Sequence, residues 1–65
     1  MRIYVWEARQ KRGLTLQQLE KLTGISRSTI NRIENGQTVP RLDQLEKIAE
    51  ATHTRMCELF DSPLK

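Results

Sequence analysis

Residues 26–35 read Ser26-Arg27-Ser28-Thr29-Ile30-Asn31-Arg32-Ile33-Glu34-Asn35, and the rest of the chain is arranged around them. Ser26 is a good helix N-cap, because its hydroxyl can accept an otherwise unpaired N–H of the first turn. Ile25 and Ile30 stand at the two positions of a hydrophobic staple, and Ile33 continues their apolar row. Asn35-Gly36 supplies a stop. The spacing predicts a short helix, about 26–35, with isoleucines inside and Arg27, Ser28, Asn31 and Arg32 outside.

The segment before it is punctuated in the same way. Thr15 followed three residues later by Gln18 is a capping box, and Leu14 with Leu19 repeats the staple. The helix that follows carries Leu16, Leu19 and Leu22 and stops at Thr23-Gly24, where glycine supplies a left-handed conformation. Only Ile25 separates that stop from the next cap. Two short helices joined through a glycine turn, about residues 15–35, form a helix-turn-helix. Caps, staples and stops agree over the whole stretch.

Outward from this unit, Val5, Ala8 and Ile3 are spaced for one side of a first helix ending before Gly13, although Ile3-Tyr4-Val5-Trp6 is β-prone in isolation. Trp6 is expected at the edge of the core, with contact to a partner as the alternative. After a loop at 36–40, Leu42, Leu45, Ile48, Ala49 and Thr52 mark a helix over 42–52, with Asp43 suitably placed in its first turn. A last short helix around Met56, Leu59 and Phe60 is expected to end near Ser62-Pro63. The reading is all-α: a compact five-helix bundle forming one helix-turn-helix domain over residues 1–65.

Composition narrows the function. Sixty-five residues leave little room for an enclosed active site. The single cysteine, Cys57, excludes an internal disulfide and a cysteine-based zinc cluster. His53 lies four residues from Cys57, but two ligands without a third make a poor metal site, so neither a metal nor a catalytic centre is expected. No apolar run is long enough to cross a bilayer, and the charged N-terminus lacks a signal-peptide core. A cytoplasmic protein without cofactor or enzymatic activity is the expectation.

Charge is unevenly spread. Residues 1–41 hold eight Lys/Arg and three acids, whereas residues 42–65 hold three Lys/Arg and five acids. The helix at 26–35 thus belongs to the basic part, as attraction to phosphate requires. Arginine can donate two parallel hydrogen bonds to O6 and N7 of guanine, and asparagine can pair with adenine. Arg27, Ser28, Asn31 and Arg32 on one presented face therefore suit the edges of base pairs. The alternative is that the arginines solvate the helix or meet phosphates. Glu46, Glu50, Glu58 and Asp61 are expected to form a solvated face away from any nucleic acid.

The run GLTLQQLEKLTGISRSTINRIENGQTVP, followed by LDQLEKIAEA and MCELF, resembles the Cro/cI-type (XRE-like) helix-turn-helix domain of bacterial and phage regulators, over roughly residues 3–60. The resemblance implies a lambda-repressor-like fold, double-stranded operator DNA as partner, and a homodimer. It implies base reading by Arg27, Ser28, Asn31 and Arg32, and backbone contacts from Gln17, Thr29, Asn35, Gln37 and Thr38. It also implies a partly buried salt bridge between Arg9 and Glu34. Several residues depart from the pattern. Glu20 replaces an alanine near the turn, Leu16 a glutamine near the DNA backbone, and Arg41 a Ser or Thr cap. Thr52, His53 and Thr54 replace Leu-Gly-Val, so a looser or differently shaped joint is expected there.

Two other readings remain open at this stage. The chain is a protein-interaction module, such as an antitoxin or accessory regulator, working through Tyr4, Trp6 and its acidic C-terminal third. Or it is the DNA-binding part of a longer regulator. In the homodimer reading, Met56, Leu59 and Phe60 are candidates for the interface, with core closure as their alternative role.

Overall fold

In the computed structural model, which describes residues 2–61, the capping signals around the central unit close as hydrogen bonds. The Gln18 N–H donates to Thr15 Oγ1 at 3.0 Å and the Thr15 N–H to Gln18 Oε1 at 2.8 Å, completing the capping box of a helix at Leu16–Thr23. Ser26 Oγ accepts the Thr29 N–H at 3.3 Å and opens the next helix, Arg27–Glu34. Between them Gly24 takes φ 76°, the left-handed turn expected of it.

In chain order the elements are β1 (Arg2–Ile3), α1 (Val5–Lys11), α2 (Leu16–Thr23), α3 (Arg27–Glu34), α4 (Leu42–Thr52), a 3-10 turn (Met56–Glu58) and β2 (Phe60–Asp61). The helices bury one shared core: Val5, Leu19, Ile30, Ile33, Ile48 and Leu59 are fully enclosed, with Ala8, Ile25, Leu45 and Ala49 nearly so. Leu14, Leu16, Ala51, Met56 and Phe60 pack partly buried against it. Both staples are therefore in place.

The five-helix expectation is corrected to four α-helices among the described residues, with a 3-10 turn and a small antiparallel sheet in place of the fifth helix. Ile3 leaves the first helix and pairs with Phe60, Arg2 pairs with Asp61, and the Tyr4 N–H donates to the Leu59 carbonyl at 2.7 Å. The β-prone start finds a partner strand, whereas three residues from Met56 are too few to propagate an α-helix. The expected end of the last helix at Ser62-Pro63 lies outside the described residues. Leu59 closes the core with no exposed surface, so it is not an interface residue on this fold.

Two leucines expected on apolar faces point outward: Leu22 is 61% and Leu42 is 73% exposed. In α2 the buried stripe passes through Leu19 and Thr23. Leu22 precedes Thr23 by about 100° of rotation and so falls off it. Leu42 occupies the first turn of α4, ahead of the buried residues Leu45, Ile48 and Ala49.

The substituted joint after α4 turns on His53. His53 takes φ 53° in the left-handed region, where glycine is favoured, and the Thr54 N–H still reaches the Ala49 carbonyl at 2.9 Å. The Thr52 hydroxyl, buried, donates to the Ile48 carbonyl at 2.7 Å. The joint thus places a side-chain-bearing residue in a conformation that favours glycine. Arg41 opens α4 with half a capping arrangement: its N–H donates to Gln44 Oε1 at 2.9 Å, but its side chain has no acceptor to return the bond.

Candidate nucleic-acid interface

The inner face of α3 is held by Ile30 and Ile33, both with no exposed surface. Glu34, the last residue of that helix, is turned inward. Arg9 grips it with two parallel hydrogen bonds, Nε to Oε2 at 2.7 Å and Nη2 to Oε1 at 3.0 Å. Arg9 Nη1 donates at 2.9 Å to the Leu14 carbonyl, so α1, the start of the helix-turn-helix and α3 meet on one guanidinium. The hydrogen bond to Glu34, helped by its charge, raises the Arg9 pKa above the ordinary arginine value against the opposing effect of burial. The acid on α3 is thereby kept away from the outward face.

That outward face carries Arg27, Ser28, Asn31 and Arg32, all exposed. Arg27 and Ser28 lie in the first turn; Asn31 and Arg32 lie one turn on. Asn31 is not independent, because its Oδ1 accepts from Asn35 Nδ2 at 3.4 Å. Thr29 is half-buried at the side, and Ser26 Oγ donates to its hydroxyl at 2.9 Å. Gln17 is exposed in the first turn of α2, and Asn35, Gln37 and Thr38 are exposed where α3 ends. The Gln37 N–H donates to the Arg32 carbonyl at 2.8 Å, which folds this loop back on α3.

Two contributors escape a reading of the residues alone. Thr23, 5% exposed, donates its hydroxyl to the Leu19 carbonyl at 2.7 Å and accepts the Ile25 N–H at 3.1 Å. It therefore ties the end of α2 to the turn that leads into α3, and its signal is a small hydroxyl four residues after a core leucine and just before Gly24. Glu20 is the second. Its side chain reaches the start of α3 and accepts the Arg27 N–H at 3.0 Å. An acid placed one helix before an N-terminus is drawn to the positive end of that helix. Alanine at that position could not make the bond, and the two helices still meet through their core residues.

His53 and Cys57 are both exposed, and His53 serves as the C-cap of α4. Among the described residues no group of three or more His, Cys, Asp and Glu could hold a metal ion. Glu46, Glu50, Glu58 and Asp61 are all exposed. Trp6 is 50% exposed and lines a shallow dent with Arg2, Ile3 and Ile33. No helix of the described residues is long and apolar enough to cross a membrane.

A family model described as helix-turn-helix matches residues 7–59. A protein of Archaeoglobus fulgidus, named an uncharacterized HTH-type transcriptional regulator, is 38% identical over 60 residues, covering 92% of this chain and 86% of its own length. A Haemophilus influenzae protein of the same name is 46% identical over 41 residues, covering 63% of this chain. The match spans 42% of that longer relative. With the match running from α1 to Leu59, the chain belongs to the helix-turn-helix family, in the Cro/cI-type (XRE-like) class whose motifs it carries.

Proposed function

We propose that this chain is a sequence-specific transcriptional regulator that binds double-stranded DNA with α3 in the major groove. The observation that carries the reading is the division of α3: Ile30, Ile33 and Glu34 are held inside, and Arg27, Ser28, Asn31 and Arg32 stand outside. Arg27 and Arg32 reach guanine edges, Ser28 and Asn31 contribute hydrogen bonds nearby, and each bidentate contact discriminates by about 1–3 kcal/mol. Gln17, Thr29, Asn35, Gln37 and Thr38 contact the sugar-phosphate backbone and set the register. In this reading the first N–H groups of α2, beside Gln17, meet a phosphate.

One such helix reads only a few base pairs. A homodimer on a palindromic operator, with half-sites about 10 base pairs apart, doubles the contact and suits a repressor that occludes a promoter. Val39 and Leu42, 72% and 73% exposed beside the loop that follows α3, offer apolar surface for a second copy. Met56 and Phe60, half-buried, offer less.

The test is selection of bound duplexes from a random pool at moderate salt, followed by sequencing. Enrichment of a two-fold symmetric motif supports the proposal, and loss of its guanines on changing Arg27 or Arg32 assigns the contacts. A folded protein that enriches nothing refutes base readout by this chain. The exposed Trp6 and Leu22 favour a second reading, an antitoxin-like or accessory module whose ligand is another protein. The length of the Haemophilus relative supports a third, in which this chain is the DNA-binding part of a longer regulator.

A further inference from the structure

Glu20 divides its two carboxylate oxygens between the main chain and the side chain of one residue. Oε2 accepts the Arg27 N–H at 3.0 Å, and Oε1 lies 3.4 Å from Arg27 Nε as an ion pair. The main-chain bond anchors the carboxylate, because the Arg27 N–H belongs to the first turn of α3 and cannot turn away. Ser26 already serves the Thr29 N–H, so Glu20 completes the capping of that turn rather than duplicating it. The second oxygen is thereby parked beside Nε. The Glu20 and Arg27 side chains remain 35% and 58% exposed, so the pair sits at the surface beside the outward residues of α3.

We propose that Glu20 is a positioning residue for base readout, holding Arg27 by its Nε edge so that the Nη1/Nη2 end of the guanidinium is presented to a single guanine. This rests on the reading of Arg27 as a base-contacting side chain. A guanidinium has two forked edges able to grip O6 and N7, one through Nε and one through the two terminal nitrogens. With Glu20 at Nε, the end-on fork is left, and the swinging arginine becomes a directed one. Less conformational freedom is then lost on binding the right base. The carboxylate also offsets the charge of Arg27, which weakens the attraction to phosphate that every DNA sequence shares. Glu20 thus trades general affinity for discrimination.

The decisive variant is Glu20→Gln, which removes the charge but keeps an oxygen for the Arg27 N–H, so α3 stays capped. The probe is the duplex that the wild-type chain selects from a random pool, together with single-base replacements at each guanine. The variant is expected to bind the mismatched duplexes more tightly than the wild type does. Its discrimination at the guanine read by Arg27 is expected to fall about two- to fivefold, the range of an exposed ion pair, with the other positions unchanged. In an Arg27→Ala background the same change is expected to leave discrimination unaltered.

Unchanged discrimination in Glu20→Gln would mean that Glu20 only caps the helix, and overturns the proposal. Tighter binding to matched and mismatched duplexes alike would make Glu20 a competitor for Arg27 rather than a guide, and overturns it too. If Arg27→Ala itself leaves base preference intact, base reading by Arg27 fails and the proposal falls with it. The single variants tell these outcomes apart.

Discussion

Arg9 and Glu34, far apart in sequence, face each other through a two-pronged pair whose side chains are only 9% and 3% exposed. Their pairing turns an acid inward from α3, the helix proposed to meet DNA. Replacing Arg9 alone strands a carboxylate in a largely dry site. Arg9→Met is therefore expected to cost about 3 kcal/mol in urea unfolding. Adding Glu34→Leu to the same chain is expected to recover most of the loss. Arg9→Lys is also expected to destabilise, since one ammonium cannot serve both Glu34 and the Leu14 carbonyl with the same geometry. The raised Arg9 pKa has a definite sign: the stability it adds is full below the ordinary arginine range and is lost only as pH climbs above it. Unfolding measured between pH 6 and about 9 should reveal no titration from this arginine.

Thr23 joins α2 to the turn with both ends of its hydroxyl. Thr23→Val keeps the shape but leaves the Ile25 N–H without a partner, at a cost of about 1–3 kcal/mol. Thr23→Ser keeps the bonds and should lose much less. Amide exchange at Ile25 reports the difference directly: fast exchange is expected in the valine variant alone.

His53 holds a left-handed backbone that costs a side-chain-bearing residue about 1–2 kcal/mol. His53→Gly is expected to stabilise the fold by about 1 kcal/mol after the added flexibility of the unfolded chain is subtracted. For a domain of this size that raises Tm by about 4–8 °C. His53→Ala, which keeps the strain, should give no such gain. Equal stabilisation by both variants would show that the histidine side chain, not the backbone, was at fault.

Arg41 cannot accept the N–H that a capping residue should take. Arg41→Ser supplies the missing acceptor, and the exposed ion pair with Asp43 at 3.3 Å that it sacrifices contributes little. A gain of about 0.5–1 kcal/mol is expected from denaturant unfolding. A net loss would mean that the arginine side chain holds the start of α4 in some other way.

How much of this could be read in advance depends on whether the deciding contacts are local. The capping box at Thr15 and Gln18, the cap at Ser26 and the stop at Gly24 are each settled within a few residues, and each is where the pattern puts it. The pairing of Arg9 with Glu34 came from resemblance, and nothing near either residue announces it. The small sheet was missed because Ile3 and Phe60 become strands only in each other's company. Leu22 and Leu42 lie outside the apolar faces their pattern predicts, because hydrophobicity marks a helical face more coarsely than its rotation does. On the candidate interface the outward residues were legible as the complement of the isoleucines. The link from Glu20 to Arg27 was not, because it crosses from one helix to the next.

The ladder between β1 and β2 sets an order of events during synthesis. The helices find their partners within residues 5–52, α1 against α3 and α4, and α2 against the same two. Arg2 and Ile3 must wait for Phe60 and Asp61, nearly the whole described chain later. The strand pairing therefore closes a loop of nearly the whole described chain, at an entropic cost that rises only slowly with that length. The sheet works as a clasp that fastens only when the ribosome has delivered both halves.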